Sequence, residues 1–463
     1  MYSILDFGAV GDGEILCTKA IQSAIDAAAA AGGGTVYLPA GHFKCGTIYL
    51  KSYVTLHLTN GAVLQASDSI EHYPEHKHWD DEARAPFVNP DLQPHSFIFA
   101  LDVHHIAITG EGTIQLPGEA FWDMQDIPES GWIKYKLPRV SPSLCIHKCE
   151  HVRIENVKIL DSSGWTVECN SCRYVWIKGI FIKNHFWGPN TDGLDIQGCQ
   201  DVMISDCRID VSDDCIVLKT LPDTPPNERI TVTNCTLRTQ CVGLKCGANE
   251  SFGDMRQIAF TNCIVHDTTR AFSLYAYCGG HYEDIVVSNI LCDTKNDFPL
   301  NRPIQIDVRS HPKNGKKHGY TAPAGSIRNV TISNVIARTN GRIVLTAEDD
   351  CLLENIVLRD IRYTYYDVDN PDPRGRTAKS GQWCVANPDA GAAQAVIAAE
   401  NIKNLVVDGL YVDWPDGYDG PAFSLLWGKN LQGGRFHAPD AFPSHPDTPV
   451  AQLENSTLRV VES

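Results

Sequence analysis

Val152-Arg-Ile-Glu-Asn156-Val-Lys-Ile159, Val175-Trp-Ile-Lys-Gly179-Ile-Phe-Ile182 and Val202-Met-Ile-Ser-Asp206-Cys-Arg-Ile209 are three copies of one short unit. In each, apolar residues alternate with other residues on both sides of an Asn, Asp or Gly. Alternation with period 2 reads as a strand with one buried face. The central residue is of a type that accepts a left-handed backbone. Each copy therefore reads as two short strands joined by a tight bend. The unit returns as Ile230-Thr-Val-Thr-Asn234-Cys-Thr-Leu237, Ile258-Ala-Phe-Thr-Asn262-Cys-Ile-Val265 and Ile285-Val-Val-Ser-Asn289-Ile-Leu-Cys292, then in copies centred on Asn334, Asp360 and Gly409. Successive bend residues are 23, 27, 28, 28 and 27 positions apart, then 45, 26 and 49. The two long steps are about double the others, as a degenerate copy or an inserted loop would make them.

A strand pair repeated at this period predicts an all-β solenoid, a parallel β-helix. One coil cannot bury its own inward face, so coils stack about 4.8 Å apart and share a long core. Such a core keeps growing where a compact one would split, so all 463 residues read as a single β-helix domain. The repeat does not set the hand of the coil; right-handed is the commoner. Cys207, Cys235 and Cys263 share one inward position and read as a ladder of small apolar side chains. Cys169-Asn-Ser-Cys172 has the C-x-x-C form, but no second pair follows at zinc-ribbon spacing. No metal and no cofactor are expected.

Residues 1–50 read as an N-terminal cap with the first strands. Thr18 caps a helix whose Ile21, Ala24, Ile25 and Ala28 fall on one face, and Gly32-Gly33-Gly34 stops it. The glycines trail the helix and no Lys-Ser/Thr follows, so they are not a phosphate loop. His311–Gly325 and Asp367–Ala393 read as long loops. Residues 414–463 read as an irregular wrap, with Trp414 and Trp427, before a last strand at Ser456–Val461.

Charged residues are 21% of the chain and the net charge is −17, which argues against a nucleic-acid surface or an anchor on anionic membrane. No apolar run approaches the roughly 20 residues that span a bilayer. The N-terminus has neither a basic n-region nor an apolar h-region, and 17 cysteines suit a reducing compartment, so a cytoplasmic protein is expected. A trimmed signal peptide would leave the same sequence.

The chemistry gathers in residues 190–219. Asp192 precedes the pair Asp213-Asp214 by 21 residues, about one coil. Leu194 and Ile196 align with Ile216 and Leu218 one coil on, which sets Asp192 beside the pair at the turn entering the same strand. Three carboxyl groups so placed repel, so at least one should hold its proton more tightly and the group should titrate as a set. One protonated and one ionised carboxyl is what glycosidic hydrolysis requires. Later coils align Leu244 and Cys246, then Phe272 and Leu274, so Arg270 falls in the column of Val242 and Asp214.

Asn190-Thr-Asp-Gly-Leu-Asp195 with Asp213-Asp214 resembles the motif of the polygalacturonase family of pectin-degrading glycoside hydrolases, family 28. Asp6-Phe-Gly-Ala-Val-Gly-Asp-Gly, Gly33-Gly-Thr-Val-Tyr-Leu-Pro-Ala-Gly41, Gly110-Glu-Gly-Thr-Ile114 and Trp165-Thr extend the similarity over most of the chain. The resemblance implies a right-handed parallel β-helix and hydrolysis with inversion. Asp213 would be the general acid, and Asp192 and Asp214 would activate the water. Two departures stand out. Where the family usually has Gly-His-Gly, this chain has Cys241-Val242-Gly243. Where the family has Arg-Ile-Lys to grip the galacturonate carboxylate, it has Thr269-Arg270-Ala-Phe-Ser-Leu-Tyr-Ala-Tyr277.

Arg270, Lys245, His185, Trp187, Tyr275, Tyr277 and His281 are therefore the candidate substrate-binding residues, with Lys245 expected to point outward. Lys219 lies on the same coils. The expected activity is hydrolysis of pectin-derived or related oligosaccharides from a chain end, with specificity moved toward rhamnogalacturonan-type or neutral sugars. Two rivals remain: a polysaccharide lyase, which would need a calcium cluster, and a non-catalytic carbohydrate-binding β-helix. A homo-oligomer stays open, since no interface is specified.

Overall fold

The computed structural model describes residues 1–76, 92–125, 132–294, 301–310, 322–368 and 388–461. Most of both long loops expected from sequence, His311–Gly325 and Asp367–Ala393, lies outside the described residues. Two compact units are distinguished: Met1–Leu218 with Asp223–Thr239, and Lys219–Pro222 with Gln240–Ser463.

In the first unit, strands Val54–Leu58, His104–Gly110, Glu150–Glu155, Arg173–Lys178, Gln200–Ser205 and Asn227–Thr233 pair in succession, all parallel. Val152, Val175, Val202 and Ile230 are direct partners across four of them and are buried. A second sheet runs Ile48–Tyr49, Ile98–Leu101, Leu144–His147, Val167–Asn170 and Leu194–Gln197. The apolar sides of the two sheets make the core.

The second unit repeats the plan. Met255–His266, His281–Thr294, Ser326–Thr339, Leu352–Tyr365, Ile402–Asp413 and Gln432–His437 form one parallel sheet. Val242–Ser251, Arg270–Ala276, Ile304–Val308, Ile343–Ala347, Ala395–Glu400 and Ser424–Lys429 form the other.

The bends are where the alternation placed them. Asn156, Gly179, Asp206, Asn234, Asn262, Asn289, Asn334, Asp360 and Gly409 all have φ between 52° and 80°. Asn at such a bend has a second use, because its amide reaches the next coil. Asn289 Nδ2 donates to Asn262 Oδ1 at 2.8 Å, and Asn334 Nδ2 to Asn289 Oδ1 at 2.7 Å. Cys207, Cys235 and Cys263 are buried free thiols, each donating to the carbonyl two residues before it. Cys169 and Cys172 are also free and buried.

The helix covers Thr18–Ala30 with Ile21, Ala24, Ile25 and Ala28 fully buried. Thr18 is not its cap, as the sequence suggested. The cap is Cys17, without a side-chain cap bond, and Thr18 Oγ1 accepts from Gly46 N–H at 2.8 Å. Gln22 shows why a helix sits here. Its amide donates to Tyr49 C=O at 3.1 Å and accepts from Tyr49 N–H at 2.8 Å, satisfying backbone groups of a short strand at the start of its sheet. The segment read as an irregular wrap is more ordered than expected: Trp427 lies in strand Ser424–Lys429, and Gln432–His437 and Ala451–Glu454 are strands too. Gly433-Gly434 and the prolines hid that alternation. The last strand is shorter than predicted, Arg459–Val461. Among the described residues, no helix is long and apolar enough to cross a membrane.

Candidate functional site

In the first unit the three aspartates are brought together by the backbone. Gly193 N–H donates to Asp214 C=O at 2.8 Å, and Leu194 N–H to Cys215 C=O at 2.9 Å. This parallel ladder sets Leu194 beside Ile216, as the 22-residue offset required. Gly193 permits the approach, since a Cβ there would meet Cys215 O at 2.5 Å. Thr166 N–H donates to Asp192 C=O at 2.9 Å, tying the loop to the preceding coil. Thr191 and Ser212 share a hydroxyl hydrogen bond of 2.8 Å, and Thr239 Oγ1 donates to Asp213 C=O. Asp192 and Asp214 are each 2% exposed and Asp213 is 7% exposed, so Asp213 is the most open of the three. Asn190 Nδ2 donates to Asp213 Oδ2 at 3.3 Å.

The loop before Asp192 carries His185 and Trp187, both half-buried. His185 Nδ1 accepts from Trp187 N–H at 3.2 Å and its ring meets Trp122 edge-on at 5.9 Å. Sequence reasoning missed Arg139, which anchors this loop. It is fully buried and donates from Nη1 to Ser163 C=O and Pro189 C=O, both at 2.9 Å. Nothing in its local sequence marks it, because the contact spans 50 residues.

Below the aspartates, the sheet face turned away from the apolar core is polar yet buried. Cys145, Glu168 and Asp195 are register partners, as are His147, Asn170 and Gln197, and all six are covered. Glu168 accepts from Gln197 Nε2 at 2.5 Å and Asn170 Nδ2 at 3.2 Å. The signal was present in Val-Glu-Cys-Asn and Leu-Asp-Ile-Gln, where polar residues take every position the core leaves free.

In the second unit Val242 and Arg270 are direct partners, as the coil alignment predicted. Lys245 faces away from the core side taken by Leu244 and Cys246 and is only 6% exposed. Arg270, fully buried, donates from Nε to Gln305 Oε1 at 3.1 Å, and Tyr275 donates from its hydroxyl to the same oxygen at 3.0 Å. Tyr277 donates to Asp307 Oδ2 at 2.9 Å. Asp307 also accepts from Arg309 and from Thr346 Oγ1 at 2.8 Å. Burial, ahead of every other influence, pushes the phenols of Tyr275 and Tyr277 up. Both tyrosines thus work as covered hydrogen-bond donors and not as open stacking platforms. His281 stands apart from them: it is exposed, at the head of a strand in the other sheet, with Nδ1 on Ser326 Oγ at 2.8 Å. The sequence reading missed Gln305, Asp307 and Arg309 because coils of irregular length separate them from Arg270.

A possible metal-ligand group in this unit, Glu348, Asp350 and Cys351, has its ligand atoms within 4.8 Å of one another. Burial pushes the Cys351 thiol up to about 12, and Glu348 already accepts from Ser310, so the donor set fits a divalent cation poorly.

A family model described as Glycosyl hydrolases family 28 matches residues 37–372. The chain belongs to that family. Residues 1–72 also match a model described as Rhamnogalacturonase A/epimerase, pectate lyase-like. A probable polygalacturonase of Vitis vinifera is 34% identical over 47% of this chain, but the match spans only 44% of that relative. An exopolygalacturonase of Zea mays is 24% identical over 80% of this chain and 85% of its own length. Among solved structures, the exopolygalacturonase of Thermotoga maritima superposes with a TM-score of 0.65 at 21% identity, over 89% of this chain and 91% of that one. The family 28 exopolygalacturonase of Yersinia enterocolitica gives 0.71 at 18% identity, over 93% and 78%. These likenesses show the fold, a right-handed parallel β-helix.

Proposed function

We propose that the chain is an O-glycosyl hydrolase that acts on acidic pectin-derived oligosaccharides, by inversion and from a chain end. Asp213 serves as general acid and protonates the leaving oxygen. Asp192 and Asp214 draw a proton from the attacking water. The observation that carries this reading is the aspartate group of the first unit, locked by the Gly193–Asp214 backbone bond and buried. Buried carboxyls in one patch supply the protonated and ionised partners of acid–base cleavage. Family membership supports the reaction class, and the name of the maize relative supports action at a chain end.

The sugar-recognition shell differs from that of a plain polygalacturonase. Where the family pattern has a histidine and a lysine, the second unit offers Arg270, which donates to the Gln305 oxygen that Tyr275 also bonds. A buried guanidinium still suits a sugar acid. Among the described residues, fifteen buried free thiols support a reducing compartment as the place of action.

A hydrolysis screen over galacturonan, rhamnogalacturonan and neutral oligosaccharides tests the proposal. Single residues released from acidic oligomers, first seen as the inverted anomer by NMR, are expected. Products absorbing through an unsaturated bond, with activity lost in EDTA, would favour a lyase instead. Binding without turnover would favour a carbohydrate-binding module.

A further inference from the structure

His104 and His105, in the first unit, meet through their rings: Nδ1 of one lies 3.2 Å from Nδ1 of the other. Neighbours on a strand point to opposite faces, so the vicinal pair in Val103-His104-His105-Ile106 should not share a target. The backbone of His105 is what brings them together. Its φ is 55°, left-handed, which breaks the alternation and lets its ring turn to His104. In later coils the same bend mostly carries Asp or Asn, at Asp201, Asp284, Asn329, Asn355 and Asn404, whose short side chains suit this conformation. The bend itself does not call for histidine.

The two rings are held in place. Tyr53 and His151 stand beside His105 in the preceding and following coils, by the Thr55–Ala107 and Ile106–Val152 register. Tyr53 stacks on His105 at 5.2 Å and His151 at 4.3 Å between centroids, at 25° and 30° between planes. Tyr53 also meets His104 edge-on at 4.7 Å. Stacking covers the ring faces of His105 and leaves its nitrogens at the edge, and the residue is exposed. Glu150, also exposed, is the register partner of His104. Its other neighbour in the sheet, Arg173, turns to Asp201, Nε to Oδ2 at 3.2 Å. Among the described residues Glu150 forms no ion pair.

We infer that His104, His105 and Glu150 form a site for a divalent transition ion of the zinc class. Two nitrogens on one tetrahedral ion, each at about 2.0–2.1 Å, stand roughly 3.3 Å apart, close to the separation these rings already have. Imidazole nitrogens with one carboxylate suit zinc and its neighbours over calcium or magnesium. The ion displaces the proton that one Nδ1 donates to the other. Glu150 supplies a third ligand by rotation of its side chain, and water completes four. Because Glu150 belongs to the coil after His104, the ion pins two coils of the first unit together. The site is independent of the proposed hydrolysis.

Calorimetric titration of the full chain with zinc, in excess magnesium, tests the inference. One equivalent should bind at these residues and raise the melting midpoint, and binding should weaken as the solution is acidified. His105→Asn removes a ligand but keeps a residue that suits the bend. It should lose that equivalent while the metal-free protein stays folded by circular dichroism. Glu150→Gln should weaken zinc by about tenfold, and His151→Asn, which removes only a stacking partner, by less. Cobalt(II) in place of zinc should show the strong visible absorption of a four-coordinate ion. No zinc equivalent in the parent, or the same number in His105→Asn, would overturn the inference. So would the weak absorption of six-coordinate cobalt, which marks an adventitious ion only. Zinc held at Glu348, Asp350 and Cys351 alone would overturn it too, shown by a count that Cys351→Ser lowers and His105→Asn does not.

Discussion

Asn190 holds Asp213 from across 23 residues of sequence, its side-chain amide donating to Oδ2 at 3.3 Å. Asn190 itself sits at φ 53°, a left-handed conformation that aims the amide and lets Thr191 meet Ser212 in the next step of the chain. A bond between the residue that opens the loop and the proposed general acid makes Asn190 a positioning residue. Asp213→Asn should reduce kcat by about 10²- to 10⁴-fold with the circular dichroism spectrum unchanged. Asn190→Ala should cost less, and chiefly in kcat. Full activity in Asp213→Asn would remove Asp213 from the mechanism.

The asparagine ladder makes a prediction about stability alone. Asn289 accepts from Asn334 and donates to Asn262 while holding φ 57°. Asn289→Ala loses both bonds and meets the steric cost of a left-handed alanine, so unfolding free energy should fall by about 2 kcal/mol. Asn289→Gly keeps the backbone comfortable and should cost about half as much. Denaturant titration decides it, and a glycine variant as unstable as the alanine one would show that the bonds alone matter.

A pH effect follows from His76. Burial, with a smaller push from His95, holds its imidazole down to about 4, while the ring packs on Phe99 at 3.9 Å between centroids. In the unfolded chain the same group titrates near 6.5. The stability owed to a neutral His76 is therefore complete above pH 6.5 and is lost as pH falls from there through 4. The melting midpoint of His76→Gln should vary less with pH over that window than the parent's. Parallel curves would exclude His76 as the source.

Thiol titration tests the core. Of the described cysteines, fifteen are buried and Cys351 is partly open. An aromatic disulfide reagent should label Cys351 early in the native protein, while the fifteen react only on unfolding; Cys384 lies outside the described residues. Rapid native labelling of Cys207 or Cys235 would contradict their place in the stack.

Much of this was legible because a solenoid converts spacing into position. The bend residues from Asn156 to Gly409 and the 22-residue offset of Leu194 from Ile216 needed only a regular coil. The Arg139 clasp on Pro189 and the bond from Arg270 to Gln305 were hidden for the opposite reason. Their coils vary in length, so no fixed offset leads from one to the next. The cover over Lys245 was not legible, because alternation tells which sheet face a side chain takes, and not whether other chain segments cover that face. Thr18 was misread because Cys17, tied through Sγ to Val10, set the helix start one residue earlier in conformation.

The strands His281–Thr294 and Ser326–Thr339 pair without slippage at a separation of 45 residues, although neighbouring layers are joined at 27 and 26. Closing a longer loop costs only logarithmically more. Insertions can therefore accumulate on one flank of a layer while its neighbours inherit unchanged pairing. A lineage with such a scaffold can experiment with what it recognises at little risk to folding. That separation of risks makes it natural for chains about 21% identical to superpose over nine-tenths of their length.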